Sequence, residues 1–151
     1  MSELPRVLVV EDGHEYIETL TKYLGSEFDF IRAGNGFEAI EKLGAELWHA
    51  VFMDMRFDRA DRLMGDVGVL TARFHGDTER ARKYLENHQG TYIAAAIRQA
   101  GFGHPMLFSY DFSGEPTRLA HLQRQYGPLA YLPDTAGPAD IREGLWGLWG
   151  S

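Results

Sequence analysis

The amino-acid sequence predicts an α/β fold, a doubly wound domain around a five-stranded parallel sheet. Short apolar runs alternate with stretches of helical period, and glycine or proline separates many of these segments, as is typical of βαβ units. The chain has 151 residues and 44% apolar residues, enough for one domain with its own core. We therefore expect a single domain over residues 1–151.

Each element is predicted from its own pattern. Strands are expected at 7–10, 28–33, 49–53, 106–109 and 129–132, because these runs are short and apolar. Helices are expected at 14–24, 37–47, 77–89, 91–100, 116–126 and 138–149, where apolar residues recur at helical spacing. Gly25 and Gly101 follow two of these helices and are predicted to end them in the left-handed conformation that favours glycine.

One segment breaks the alternation of strands and helices. A loop between a strand and the next helix usually has about 2–6 residues, and the chain between Asp54 and the helix at 91–100 is far longer. We predict an insertion of roughly 30 residues, at about 56–89, between strand 3 and helix 3 of the repeating pattern.

Charge and composition exclude several classes of function. The chain has 15 basic and 22 acidic residues and a net charge of −7, which argues against nucleic acid as a partner. It has no cysteine, so thiolate metal sites and cysteine nucleophiles are excluded. The first apolar run is too short for a signal peptide or a membrane span, and we expect a cytoplasmic protein with no membrane partner.

Acidic side chains follow two of the predicted strands. Glu11 and Asp12 come after the first strand and Asp54 after the third. If these strands are neighbours, as in a flavodoxin-like sheet, the three carboxylates converge on one crevice, and their oxygens suit Mg²⁺. The alternative is that they are only helix caps and solvated charges. Ser109 and Asp134 follow the fourth and fifth strands and belong to the same rim.

Five segments together carry a family resemblance. They are PRVLVVED (5–12), AGNGFEAIEKL (33–43), AVFMDM (50–55), AAIRQAGFGHPMLFSY (95–110) and GPLAYLP (127–133). In this order, the chain resembles a response-regulator receiver domain, the phosphoacceptor module of two-component signalling. The resemblance covers the chain outside the insertion, and it implies an atypical receiver that lacks an attached output domain.

The resemblance implies a role for each site residue. Asp54 would accept a phosphoryl group from a histidine kinase or phosphotransfer protein, and Ser109 and Tyr131 would be the switch residues. Mg²⁺ would be held by Asp12 and Asp54 directly, by Glu11 through water and by the backbone carbonyl of Arg56. Signalling would pass through contacts with a downstream protein, and catalysis would be limited to self-phosphorylation and dephosphorylation of Asp54.

The sequence also departs from the receiver pattern. Asp134 occupies the position of the lysine that pairs with the phosphoryl group, and the only lysines are Lys22, Lys42 and Lys83. Arg56 and Arg59 are the nearby cations that could replace it, and the ring of Tyr110 would narrow the approach to Asp54. These departures keep a second hypothesis open, a pseudo-receiver that binds partners without phosphorylation.

Two further alternatives concern hydrolysis and assembly. A phosphohydrolase with an aspartate nucleophile commonly has an acid two residues later, where this chain has Arg56, so that hypothesis is weaker. Trp146 and Trp149 in the last helix are expected to pack against the domain or to form a homodimer contact.

Overall fold

The computed structural model describes residues 3–149, so the ends of the predicted domain lie outside the described residues. A five-stranded sheet has the strand order β2-β1-β3-β4-β5, and every neighbouring pair of strands is parallel. The predicted flavodoxin-like α/β fold is confirmed, with the first and third strands side by side.

The strands agree closely with the apolar runs of the sequence. They are β1 (Arg6–Val10), β2 (Asp29–Ala33), β3 (Ala50–Asp54), β4 (Met106–Ser109) and β5 (Leu129–Leu132). The central strands β1, β3 and β4 are buried almost throughout, because helices cover both faces of a parallel sheet.

Within the described residues there are seven helices. They are α1 (Glu15–Leu24), α2 (Gly36–Ala45), α3 (Val67–Arg73), α4 (Thr78–Asn87), α5 (Gln89–Gln99), α6 (Pro116–Tyr126) and α7 (Pro138–Trp149). Gly101 has φ 93° and ends α5 as predicted, whereas Gly25 has φ −66°. The left-handed conformation predicted at Gly25 is therefore wrong, because the chain leaves α1 through a right-handed turn.

The two faces of the sheet carry separate apolar cores. One core contains Val10, Met53 and Phe108 with the packed sides of α2 and α5. The other contains Val9 and Phe52 with the packed sides of α1 and α7. This layering leaves the carboxyl ends of the strands at one edge of the molecule, where α/β proteins bind ligands.

The insertion forms a smaller layer of its own. Its two helices, α3 and α4, pack through Leu70, Ala81 and Leu85. The α3 helix was not predicted, because VGVLTAR is short and rich in residues with weak helix propensity, and it is stabilised by packing on α4. The helix predicted at 77–89 ends at Asn87, and a new helix begins at Gln89.

The last helix contributes aromatic side chains to the second core. Trp149 donates a hydrogen bond from Nε1 to the carbonyl of His49 at 3.1 Å. The Trp146 ring lies 5.0 Å from the ring of Phe28, and 40% of this residue remains exposed. The packing role predicted for this helix is thus observed, and the homodimer contact stays a prediction.

Candidate functional site

The register of the sheet brings the predicted site residues to one edge. Met53 pairs with Val10, the last residue of β1 before Glu11 and Asp12. Asp54 pairs directly with Ser109, and Ser109 pairs with Leu132 of β5. Four neighbouring strands therefore deliver their terminal polar groups to the same place.

Asp54 is the central carboxylate of this edge. It lines a cleft of about 410 Å³ together with Arg56, Ser109, Tyr110 and Asp134. Its Oδ1 accepts a hydrogen bond from the backbone N–H of Met55 at 2.8 Å. Burial raises the pKa of Asp54 to about 7, and the nearby negative charges of the two strand-one acids add to the shift. The negative charge at this position is therefore poorly compensated by the protein alone.

Glu11 is held away from the cleft by the first turn of α1. Its two carboxylate oxygens accept backbone hydrogen bonds from Tyr16 at 3.1 Å and Ile17 at 2.7 Å. The side chain is almost completely buried, and this burial raises its pKa. Capping a helix N-terminus is the alternative that the sequence left open for a strand-end acid, and Glu11 adopts it here.

Asp12 forms a hydrogen bond and an ion pair with Arg59 of the insertion. Its Oδ2 accepts the backbone N–H of Arg59 at 2.5 Å, and its Oδ1 lies 3.8 Å from Nη2 of the same arginine. The guanidinium group also pairs with Glu15 at 2.9 Å. Arg59 is therefore bound to the acids near the first strand and does not reach toward Asp54.

The predicted switch residues occupy buried or partly buried positions. Ser109 shares a hydrogen bond with the hydroxyl of Tyr16, and Ser109 is 4% exposed. The ring of Tyr131 packs edge-on against Phe112 with 5.5 Å between ring centres. Tyr110 forms part of the cleft wall, and its hydroxyl donates a hydrogen bond to Glu115.

The cleft wall contains an acid at the position expected for lysine. Asp134 is exposed and lines the same cleft as Asp54. Burial is the main cause of the raised pKa of Tyr16, and the negative charges of Asp54 and Asp134 add to it. Arg56 also lines this cleft, but its guanidinium lies 3.7 Å from the carboxylate of Asp58 in an exposed pair. The two arginines considered as substitutes for the lysine thus both have carboxylate partners.

Solved structures share this architecture over nearly the whole chain. A Francisella response regulator receiver domain matches with a TM-score of 0.64 at 15% identity, covering 96% of each chain. The Vibrio cholerae chemotaxis protein CheY4 matches with a TM-score of 0.64 at 15% identity, covering 97% of this chain and 99% of its own. This chain has the fold of a response-regulator receiver domain.

A third receiver domain bears on the metal site. The receiver domain of a Pseudomonas aeruginosa sensor histidine kinase matches with a TM-score of 0.64 at 19% identity, covering 99% of this chain and 100% of its own. That protein holds a magnesium ion in its active site cleft. No family model and no curated protein matches this chain. Its similarity to the solved receiver domains is therefore a similarity of fold.

The residues of this receiver-like edge are chemically suited to a divalent cation. Asp12 and Asp54 supply carboxylate oxygens and Arg56 a backbone carbonyl, and Mg²⁺ usually takes one or two carboxylates and keeps water for its other positions. The raised pKa of Asp54 indicates negative charge that a cation would compensate. Among residues 3–149, however, no three acidic or histidine side chains already converge as a complete metal-binding group.

Three residues at the site were missed by sequence reasoning. Tyr16 lies in the first turn of α1, and its hydroxyl reaches Ser109. Asn87 and His88 line the cleft from the end of α4, and Nδ1 of His88 lies 2.9 Å from the carbonyl of Tyr84. No local motif marks these residues, because Tyr16 reaches the site through the packing of α1 on the sheet, and Asn87 and His88 reach it through the packing of the insertion.

The helices of the described part of the chain were also compared with the length of a membrane span. None of them combines sufficient length with sufficient apolar character to cross a bilayer.

Proposed function

We propose that this chain is a response-regulator receiver that accepts a phosphoryl group on Asp54 from a histidine kinase or a phosphotransfer protein. The observation that carries the proposal is the pairing of Asp54 with Ser109 at the carboxyl edge of a receiver-type sheet, inside an open cleft. A phosphoacceptor carboxylate must be reachable by a donor protein, and a hydroxyl beside it can donate to the transferred group.

The chemistry required of Asp54 is a direct transfer. A carboxylate oxygen forms a bond to phosphorus as the P–N bond of the donor phosphohistidine breaks, and the imidazole nitrogen keeps that electron pair. The attacking carboxylate must be ionised, and a pKa of about 7 means that only part of the Asp54 population is ionised at neutral pH. A Mg²⁺ ion held by Asp12, Asp54 and the carbonyl of Arg56 would supply charge neutralisation.

The remaining site residues have supporting roles in this proposal. Ser109 would exchange its hydrogen bond with Tyr16 for one to a phosphoryl oxygen. That exchange would free the hydroxyl of Tyr16, and Tyr131 would respond through its contact with Phe112. A downstream protein would then recognise the altered surface.

The test is phosphorylation with a small-molecule donor. Incubation with acetyl phosphate and Mg²⁺ should add the mass of one phosphoryl group to the intact protein, and Asp54→Ala should abolish the addition. Asp58→Ala is the matched control, because it removes a neighbouring exposed acid that lies outside the cleft lining. Equal labelling of wild type and Asp54→Ala, or no labelling at millimolar donor, would contradict the proposal.

A second candidate is a pseudo-receiver that works without phosphorylation. The specific observation in its favour is that Asp134 lines the cleft in place of a lysine. Two unit charges about 6 Å apart at an effective dielectric near 20 interact by roughly 3 kcal/mol, so an acid there would oppose an added phosphoryl group. If Asp54→Ala leaves partner binding and cellular function intact, the pseudo-receiver hypothesis is the correct one.

A further inference from the structure

The insertion places the positive guanidinium group of Arg59 beside Asp12, an acid of the proposed metal site. The Asp12 side chain is 2% exposed, and both of its carboxylate oxygens face Arg59, at 2.5 Å from the backbone N and 3.8 Å from Nη2. Glu15 fixes the other side of the guanidinium at 2.9 Å. A positive group from the insertion thus lies against a carboxylate that the proposed function needs for a divalent cation.

The backbone beneath this arginine provides the space that its guanidinium group occupies. A Cβ atom at Gly13 would lie 2.2 Å from Nη2 of Arg59 and 2.1 Å from Oε2 of Glu15. Any side chain at position 13 would therefore displace the ion pair. The absence of a side chain at Gly13 allows the guanidinium to lie directly over the turn that presents Asp12.

The loop that carries Arg59 is fixed on both sides. On one side, Phe57 is fully buried and its N–H donates to the carbonyl of Glu86 at 2.8 Å. On the other side, the N–H of Met64 donates to Oε1 of the buried Gln89 at 2.6 Å. Arg59 therefore lies between two anchored points, one at the end of α4 and one at the start of α5.

We propose that Arg59 is an internal cation that competes with a divalent metal ion for Asp12, so that metal binding releases the loop at residues 56–64. This inference rests on the proposed function. In it, the conformation of the insertion depends on whether a metal ion is bound at Asp12. Both cations require the same carboxylate, and the positive guanidinium would repel an ion seated between Asp12 and Asp54. The released loop would offer a downstream protein a surface different from that of the metal-free state.

The experiment compares Mg²⁺ binding to wild type, Arg59→Ala and Arg62→Ala by isothermal titration calorimetry. Arg62 is the matched control, because it is an exposed arginine of the same loop whose guanidinium lies over the ring of Phe37 at 3.8 Å. Arg59→Ala should bind Mg²⁺ about three- to fivefold more tightly than wild type, the range expected from losing an ion pair whose arginine is largely exposed. Arg62→Ala should stay within about twofold of wild type, since a distant exposed charge is largely screened.

Hydrogen exchange supplies a second readout that is independent of phosphorylation. Amides in residues 56–64 should exchange faster in wild type when Mg²⁺ is added. Arg59→Ala keeps the backbone N–H bond to Asp12 and loses only the guanidinium group, so without Mg²⁺ these amides should exchange at a rate between those of metal-free and Mg²⁺-bound wild type.

The outcomes separate this inference from the proposed function. Equal Mg²⁺ affinity in Arg59→Ala and Arg62→Ala, or no Mg²⁺ binding to any of the three proteins, overturns the role of Arg59. Phosphoryl labelling of Asp54 is measured separately by mass, and its success or failure decides the proposed function. If Arg59→Ala binds Mg²⁺ more tightly but Asp54 is not labelled, the competition between Arg59 and the metal ion is supported and the phosphoacceptor role of Asp54 is rejected.

Discussion

The sheet edge and the insertion contribute to the same cleft in different ways. Asp54 and Ser109 lie opposite each other because two buried parallel strands are in register. From the insertion, His88 lines the cleft at the end of α4 and Arg59 contacts Asp12 beside it, and the two insertion helices have a small apolar cluster of their own. The comparison indicates that the sheet fixes which groups can react, whereas the insertion occupies the carboxylate of Asp12 before a ligand arrives.

The largest loss of stability is expected at Gly90, where the start of α5 packs against the end of β3. At Gly90 a Cβ atom would lie 2.4 Å from the carbonyl oxygen of Asp54 and 2.9 Å from Cα of Met55, and both contacts are with backbone. Gly90→Ala should lower the free energy of unfolding by about 3 kcal/mol, because neither backbone group can move without disturbing β3. Urea unfolding followed by circular dichroism measures this change.

The control for this substitution is Gly147→Ala. Gly147 is also a helical glycine, but a Cβ atom there would meet nothing within 4 Å. Alanine should be neutral or slightly stabilising at that position. If the two variants unfold at the same urea concentration, α5 does not pack against β3 as closely as the structure indicates.

A smaller loss of stability is expected from a substitution that breaks contacts of the insertion but leaves the sheet intact. The side chain of Gln89 is buried and bonds to the N–H of Met64 at 2.6 Å, to its carbonyl at 3.0 Å and to the carbonyl of Leu85 at 3.2 Å. Gln89→Ala leaves these buried groups without partners, at a cost of about 2 kcal/mol. Hydrogen exchange should therefore accelerate around residue 64 while the central strands stay protected.

Gln99→Ala is the matched control, because Gln99 is an exposed glutamine at the other end of the same helix. It should leave exchange unchanged in both regions. Equal acceleration in the central strands of Gln89→Ala would mean that the insertion and the sheet unfold together, and the distinction between the two regions would fail.

A stability effect of similar size concerns Asp54 and depends on pH. Folding raises the pKa of this carboxyl from 3.8 to about 7. Its contribution to stability is therefore fully present below about pH 4 and is lost as the pH rises through about 7. Asp54→Asn should match wild type near pH 4 and be more stable by about 2 kcal/mol near pH 8, roughly half the full linkage value because the side chain is partly exposed.

Urea unfolding in a chelator at several pH values measures this difference. Asp58→Asn is the control, because it removes an exposed acid from the same loop and should show no such rise. If the free energies of unfolding of Asp54→Asn and wild type differ by the same amount across this pH range, the conclusion that the Asp54 carboxylate is buried and poorly compensated is wrong.

Sequence patterns predicted the sheet well because its elements are locally encoded. The runs that became β1 and β3 are short, apolar and followed at once by acids, and a parallel sheet then brings those acids to one edge. Helix α3 escaped prediction because its stability comes from Leu70 packing on α4, which no local pattern contains. The boundary between α4 and α5 was predicted at residue 90 and lies at His88, since Gly90 is accommodated in the first turn of α5.

The sequence by itself determined the receiver-like sheet, the position of Asp54 at its edge and the presence of an acid, Asp134, after the fifth strand. These follow from residue type and spacing along one chain segment at a time. Only the tertiary structure decided that Glu11 caps α1, that Tyr16 reaches Ser109 and that Arg59 binds Asp12. The geometry of these contacts depends on how α1 and the insertion pack against the edge of the sheet, which residue type and spacing along one segment do not specify.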